Sequence, residues 1–443
     1  MSAEQTIFAL ASGVGRSGVA VIRVSGPSAY ESAAALAGEK DFTPRMAQLC
    51  TLKSETDVLD QALVLPFKAP GSYTGEDVIE YHLHGGRAVI ESVLEALAGQ
   101  KNHRMAEPGE FTRRAFENGK MDLTEAEAIA DLIDAETQAQ KIQALSQMDG
   151  ALSNLYQGWM DVLKKTLAHL EADIEFPDED LPEGIAPEVI SAVEKTIGEI
   201  EDHLNDNRRG ERLRDGIQVA VIGAPNAGKS SLINALAQRD VAIISDIAGT
   251  TRDVIEVHLD LGGYPVVLAD TAGLRPDQIG SEGQESIESE GIRRALQRAE
   301  QADITLLLFD GTQDADPHTL NLIDDRAILI VNKMDEQNAE LTIDTALPLS
   351  VKTGDGLPKL LKALEEKIKI LAPMSEAPSM TRKRHRVHVE EALEALQRSQ
   401  KADLPELMAE DVRLSVRALG KITGRVDVED LLDVIFKDFC IGK

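Results

Sequence analysis

The sequence is poor in cysteine, in aromatic residues, in basic residues and in long apolar runs. Cysteine occurs twice, at Cys50 and Cys440, near opposite ends of the 443-residue chain. Two cysteines make neither a disulfide framework nor a cysteine-based zinc site, and they point to a reducing compartment. Nine Phe, five Tyr and one Trp are too few for a broad platform that stacks single-stranded bases. There are 46 Lys and Arg against 76 Asp and Glu, a formal charge of −30. That balance excludes a phosphate-binding surface spread over the whole molecule, so a nucleic acid must be met at a local basic patch. No run reaches the roughly 18 apolar residues of a membrane span. The stretch from Met1 to Gly13 has no basic region and no long apolar core, so a cytoplasmic protein without a membrane span is expected.

What is present is ordinary globular composition, 43% hydrophobic and 28% charged, over a length that allows two to four domains at roughly 100–200 residues each. Three textures succeed one another. Residues 1–118 carry short β-like runs, Val19 to Val24, Ala62 to Pro66 and Asp77 to His84, with a helical pattern from Ala88 to Ala98. This predicts an α+β domain. Residues 119–214 show helical spacing from Leu123 to Met148, from Leu152 to Asp173 and from Pro187 to Arg214, with an N-cap pattern at Thr124–Glu127. Residues 215–372 alternate short apolar runs with helices, as buried parallel strands do. Residues 373–443 form a linker and a second helical segment. Each helical flank alone would bury too little surface. The expected architecture is therefore multidomain: an α+β N-terminal domain, a discontinuous all-α helical domain, and an inserted doubly wound α/β domain.

The inserted domain carries the chemistry most plainly. Gly223-Ala-Pro-Asn226-Ala227-Gly228-Lys229-Ser230-Ser231 follows a strand and opens a helix. Backbone N–H groups of such a loop cradle phosphates, the lysine reaches the β/γ-phosphates, and Ser230 suits Mg²⁺. Asp270-Thr271-Ala272-Gly273 follows the next apolar run and suits a second metal-side carboxylate and a γ-phosphate contact. Asn332-Lys333-Met-Asp335 ends another run, and a carboxylate there accepts both N–H groups of a guanine edge, which adenine does not offer. Ser350-Val351-Lys352 supplies a base-side loop. Four elements in this order specify GTP and make the inserted domain a Ras-like P-loop α/β domain. Leu274 stands directly after Asp270–Gly273, where a Ras-like protein has the glutamine that orients water, so catalysis must come from elsewhere. In the loop from Ser245 to Asp253, Thr251 is a second Mg²⁺ candidate, and the loop and Asn226 offer oxygens for a monovalent cation.

These motifs, the domain order and the C-terminal Cys440-Ile-Gly-Lys443 resemble the MnmE (TrmE) family of tRNA-modification GTPases over the full length. The resemblance implies a homodimer acting with a FAD- and NADH-dependent partner, MnmG (GidA). Together they add an aminomethyl or carboxymethylaminomethyl group to C5 of the wobble uridine of certain tRNAs. It implies a 5-formyl- or 5,10-methylene-tetrahydrofolate bound by Arg23, Glu80, Lys120 and Lys443. It implies K⁺ held by Asn226, Ser245, Ile247 and Thr250, and water positioned by Glu282. Cys440 reads, from the residues alone, as a small packing residue; the resemblance gives it a catalytic thiol role. Arg23 and Glu80 alone read as solvated strand residues.

His82 and His84 alternate on a predicted strand without further metal ligands nearby and read as plain strand residues. Two basic runs, Arg208 to Arg214 and Arg382 to Arg386, flank the insert and are the best tRNA-contacting candidates in an acidic chain. The alternative reading is a ribosome-assembly GTPase switch of the Era or Der kind, which shares the nucleotide motifs but uses a KH-type RNA module not seen here.

Overall fold

The computed structural model of the chain describes residues 5–38, 41–55, 57–175, 185–239, 241–243, 256–270, 297, 299–336, 338–373, 377–426, 429–437 and 439–442. The chain divides into two compact units, residues 1–130 with 417–443, and residues 131–416.

The first unit is built on β1 (Thr6–Leu10), β2 (Ser17–Ser25), β3 (Gln48–Lys53), β4 (Val58–Phe67), β5 (Val78–Gly85) and β6 (His103–Met105), in the order β3-β4-β5-β2-β1-β6. Only β1 and β6 run parallel. Alternation decides the faces. On β5, Ile79, Tyr81 and Leu83 are buried in a core with residues of α1 (Ala29–Ala37) and α2 (Arg87–Ala98), and Glu80, His82 and His84 fall on the opposite face. There Ile7 and Ala9 pack on Ala106, Tyr73 and Phe111, the last from α3 (Glu110–Glu117). Buried Glu110 fixes α3 through Arg104, at 2.6 Å, and Arg114, at 3.0 Å. The C-terminal helix, Glu429–Lys437, and Phe439 beyond it bring Leu432, Phe436 and Phe439 onto Leu123 and Ala126 of α4 (Leu123–Ile133).

The helical runs are broken where the sequence pattern was continuous. The run from Leu123 to Met148 stops after α4 and restarts as α5 (Gln138–Met148). Thr137 makes the capping box that restarts it, its Oγ1 accepting from Gln140 N while Gln140 Oε1 accepts from Thr137 N at 3.1 Å. The cap expected at Thr124–Glu127 lies two residues earlier. Asp122 Oδ1 accepts from Glu125 N at 3.0 Å and Glu125 Oε2 from Asp122 N at 2.7 Å, because a carboxylate one step before the helix reaches the orphan N–H groups. After α6 (Ala151–Glu175), the run from Pro187 to Arg214 becomes α7 (Ile185–Leu204) and α8 (Arg209–Asp215). Asn207 and Arg208 separate them in the left-handed region, φ +54° at each. His203 lies at the end of α7 against Trp159 and Tyr156, whose hydroxyl is 3.2 Å from its Nε2. Burial pushes its imidazole down to about 4, against an opposing pull from Asp206.

The sheet of the second unit contains β7 (Ile217–Gly223), β8 (Glu256–Leu261), β9 (Tyr264–Asp270), β10 (Ile304–Asp310), β11 (Ala327–Asn332) and β12 (Leu347–Pro348), ordered β12-β11-β10-β7-β9-β8. All neighbours are parallel except the β8–β9 hairpin. Every residue of β10 is buried, as a central parallel strand requires. Leu306 and Leu308 join α9 (Lys229–Ala237) and α10 (Leu357–Leu371) on one face, and Leu307 and Phe309 fill the other.

Two crossings join this sheet domain to the helices, and the two basic runs are used there. Arg209 donates to Ser379 Oγ and Ala377 O, and Arg386 of α11 (Lys383–Ser399) pairs with Asp206 and Glu211, at 2.8 Å each. Arg214 and Arg382 both reach Asp131 Oδ1, at 2.9 and 2.7 Å. These five-donor side chains match carboxylates and carbonyls in fixed geometry, and Arg209, Arg214, Arg382 and Arg386 of the two basic runs are paired within the protein. A cavity of about 180 Å³ lies here, lined by Asp131, Gln143, Arg214 and Thr381 among others. No helix among the described residues is long and apolar enough to cross a membrane.

Candidate functional sites

The phosphate loop joins β7 to α9 at the carboxyl end of the sheet. β7 is flanked by β9 on one side and β10 on the other, the switch point where a crevice opens in such sheets. Two glycines are required by close approach. A Cβ on Gly223 would lie 2.2 Å from Leu308 O, and one on Gly228, at φ +104°, would lie 2.3 Å from Asn332 Nδ2. Asn226 is also left-handed, φ +64°. Lys229 Nζ donates to Gly223 O and Ala224 O, both at 2.9 Å, so its ammonium is held inside the loop. Ser230 and Ser231 are exposed in the first turn of α9.

Asn332, buried at the end of β11, ties the site together. Its Nδ2 donates to Ala227 O at 2.8 Å, and its Oδ1 accepts from Val351 N at 3.1 Å. One amide thereby fixes the phosphate loop against the Ser350–Lys352 segment. Asp335 accepts from Ser350 Oγ at 2.7 Å, with Lys352 Nζ 3.6 Å from its other oxygen. The Ser350 bond, helped by Lys352, holds its carboxyl below the usual range and leaves an exposed, ionised acceptor. Lys333 Nζ lies 2.6 Å from Asp310 Oδ2, and Thr312 donates twice to Asp310 Oδ1. Burial opposes ionisation of Asp310, and Lys333 and Thr312 together outweigh it, lowering its pKa. Asp310 was missed in the sequence; the available signal was a carboxylate followed by Gly-Thr at the end of an apolar strand.

In the first unit Arg23 and Glu80 face each other across β2 and β5 in register. Arg23 Nε and Nη2 both donate to Glu80 Oε1 at 2.9 Å. The guanidinium lies 5.0 Å from the Tyr73 ring centre and 5.7 Å from that of Phe111, within cation–π range. Lys120 stands on the other side of the same loop, its Nζ donating to Pro70 O at 2.9 Å and its stem beside Gly75. The C-terminal tail is held on this unit. Cys440 is exposed, and its carbonyl accepts from Gly109 N at 3.4 Å. Ile441 bridges Pro108, and Gly442, at φ +101°, lies so near β1 that a Cβ would be 2.0 Å from Leu10 O. Gly109 is two residues from Phe111, so the tail and the Arg23 pair share one short segment.

Residues 6–120 match the family model described as the GTP-binding protein TrmE N-terminus, and residues 123–440 match the MnmE helical domain. The chain belongs to the MnmE family of tRNA modification GTPases. Proteins named tRNA modification GTPase MnmE are similar to it from end to end. That of Paramagnetospirillum magneticum is 52% identical over 99% of this chain and 100% of its own. That of Rhodospirillum rubrum is 53% identical over 99% of each, and that of Maricaulis maris 52% over 99% of each.

Of the residues expected to act in this MnmE-family chain, the structure brings together Asn226 to Ser231, Asn332, Lys333, Asp335 and Ser350 to Lys352. It also pairs Arg23 with Glu80. Asp270 is described by its backbone alone, in register opposite Val221. Ser245, Ile247, Thr250, Thr251, Thr271, Ala272, Gly273, Glu282 and Lys443 lie outside the described residues. Among the described residues no cluster of three or more His, Cys, Asp and Glu is arranged for a metal.

Proposed function

We propose that the protein hydrolyses GTP as a cytoplasmic homodimer. With the flavoprotein partner MnmG, it adds an aminomethyl or carboxymethylaminomethyl group to C5 of the wobble uridine of certain tRNAs. The observation that carries the reading is the pairing of two sites in one chain of this family. One is a guanine-nucleotide pocket tied together by Asn332. The other is an N-terminal sheet that holds both the Arg23–Glu80 pair and the Cys440 tail.

Each group has a residue set with suitable chemistry. Hydroxyl and amide oxygens suit hard cations, so Ser230 and Thr251 would hold Mg²⁺, and Asn226, Ser245, Ile247 and Thr250 would hold K⁺. Such cations supply charge that stabilises negative charge developing on the phosphates. Lys229 orients the β/γ-phosphates, Asp270 and Gly273 the metal side, and Asp335 the guanine edge. Glu282 takes the water-positioning role that Leu274 cannot fill. Arg23 and Lys120, with Lys443, suit the carboxylates of a tetrahydrofolate, which supplies the one-carbon unit, and Glu80 suits its ring edge. Cys440 adds to C6 of the uracil and activates C5.

The test separates the two activities. Cys440→Ser is nearly isosteric and far less acidic. It should keep GTP hydrolysis near wild type and abolish modified wobble uridine, read by mass spectrometry of tRNA from a complemented deletion strain. Full modification with the serine variant would assign covalent attack to the partner and leave the tail as a lid.

A further inference from the structure

Two histidines stand on the same face of β5, two residues apart, and they differ in one respect. His84 is satisfied: its Nδ1 lies 2.8 Å from Asp60 Oδ1, and its backbone N donates to the other oxygen of that carboxylate at 2.8 Å. His82 is not. Its Nε2 is buried and has no hydrogen-bond partner among the described residues. The nearest carboxylate oxygen is Glu80 Oε2, at 3.6 Å, just beyond bonding distance. A buried ring nitrogen left unmade costs its desolvation, so the fold keeps this arrangement at a cost.

The reason lies in how Glu80 is held. Both bonds from Arg23 fall on Oε1, and Arg23 is itself fixed between Tyr73 and Phe111. Among the described residues, the donor nearest to Oε2 is His82 Nε2, across the gap. In register, His82 lies between Val21 of β2 and Leu63 of β4, so the residues directly opposite it on both neighbouring strands are apolar. Ala11, whose N donates to Val21 O at 2.7 Å, carries this row to the place where Gly442 of the tail packs.

We infer that His82 is a positioning residue for Glu80. Arg23 holds one oxygen of the carboxylate, and His82 Nε2, 3.6 Å from the other, is the donor that a small shift of the carboxylate onto a ligand would engage, so that the carboxylate plane is fixed toward a ligand edge with adjacent N–H donors. An aminopyrimidinone ring, as in a reduced pterin, has that edge. The inference rests on reading the Arg23–Glu80 pair as the folate site. The histidine contributes no contact of its own to the ligand; it sets the angle at which Glu80 meets it.

The experiment is a calorimetric titration of the full-length protein with 5-formyltetrahydrofolate, using wild type, Glu80→Gln, His82→Leu and His82→Gln. The leucine fills the space and removes the donor; the glutamine places an amide N–H near the position of Nε2. Glu80→Gln should abolish binding. His82→Leu should weaken it about tenfold, the size of one hydrogen bond to a charged group that would form only in the complex, and His82→Gln should restore it to within about threefold. Unchanged thermal midpoints and GTP turnover verify folding. Wild-type affinity in His82→Leu, with Glu80→Gln inactive, overturns the role of His82 alone. Equal losses in the leucine and glutamine variants also overturn it, since a donor would then be irrelevant. Wild-type affinity in Glu80→Gln removes the folate reading itself.

Discussion

The nucleotide site and the N-terminal site are assembled in opposite ways. At the first, every participating side chain belongs to a short contiguous segment at a strand end, and the parallel sheet sets the segments side by side. At the second, Arg23 and Glu80 are 57 residues apart and meet only because β2 and β5 are paired in one register. A slip of one residue in either strand would turn its member of the pair to the core face. Charge separates the regions too. The second unit carries 53 Asp and Glu against 29 Lys and Arg, and the first 23 against 17. A phosphate backbone is therefore repelled far less by the unit that holds the Cys440 tail.

Breaking one site without the other is the sharpest way to test that contrast. The largest effect is expected from Gly228→Ala. The left-handed φ and the 2.3 Å approach to Asn332 Nδ2 leave no room for a methyl group without opening the loop. GTP affinity should fall on the order of a thousandfold, while 5-formyltetrahydrofolate titrates as in wild type. A parallel loss of folate binding would mean the sites are not separable.

Asp335→Asn comes next. It replaces the ionised acceptor with an amide suited to xanthine, so GTP should bind about a hundredfold more weakly and XTP more tightly. Unchanged GTP affinity would remove Asp335 from base recognition.

A smaller effect concerns stability of the second unit and leaves both sites intact. His203 has its pKa lowered to about 4 in the fold, against about 6.5 when unfolded. Below about pH 6.5 the unfolded chain takes up a proton that the folded one refuses, so stability falls on acidification. The loss between pH 7 and pH 5 should be about 2 kcal/mol. Denaturant unfolding monitored at Trp159 reads it, and His203→Gln should flatten the dependence.

The smallest is cation dependence. With Leu274 in the glutamine position and Asn226 on the phosphate loop, GTP turnover in KCl should exceed that in NaCl at equal ionic strength by about tenfold. Equal rates would leave water activation without the monovalent cation.

The same contrast explains what the sequence made legible. Gly223 to Ser231, Asn332 to Asp335 and Ser350 to Lys352 could be read because each is a local pattern whose context, a strand end, is also local. The α/β alternation was legible for the same reason. The Tyr73 and Phe111 rings around Arg23, the Asp310–Lys333 pair and the place of His82 were not, since each depends on strand register or on a turn between distant elements. The helix break at Asn207–Arg208 was hidden because left-handed asparagine and arginine leave no mark in an apolar pattern. The pairing of the crossing arginines was not legible for an electrostatic reason: clustered basic residues look the same whether the groups they meet lie on a ligand or within the protein.

The arginine-stitched crossings have a consequence for how such a chain is put together. Gly210 lies so close to the other crossing that a Cβ would be 2.3 Å from Met380 O, and Asp131 receives one arginine from each side. The two ends of the sheet domain thus leave the helices through one doorway. Such a domain behaves as a cassette: closing the doorway after its removal spans almost no distance and costs little loop entropy. The carboxylate of Asp131, met by an arginine from each crossing, is the clasp of that doorway.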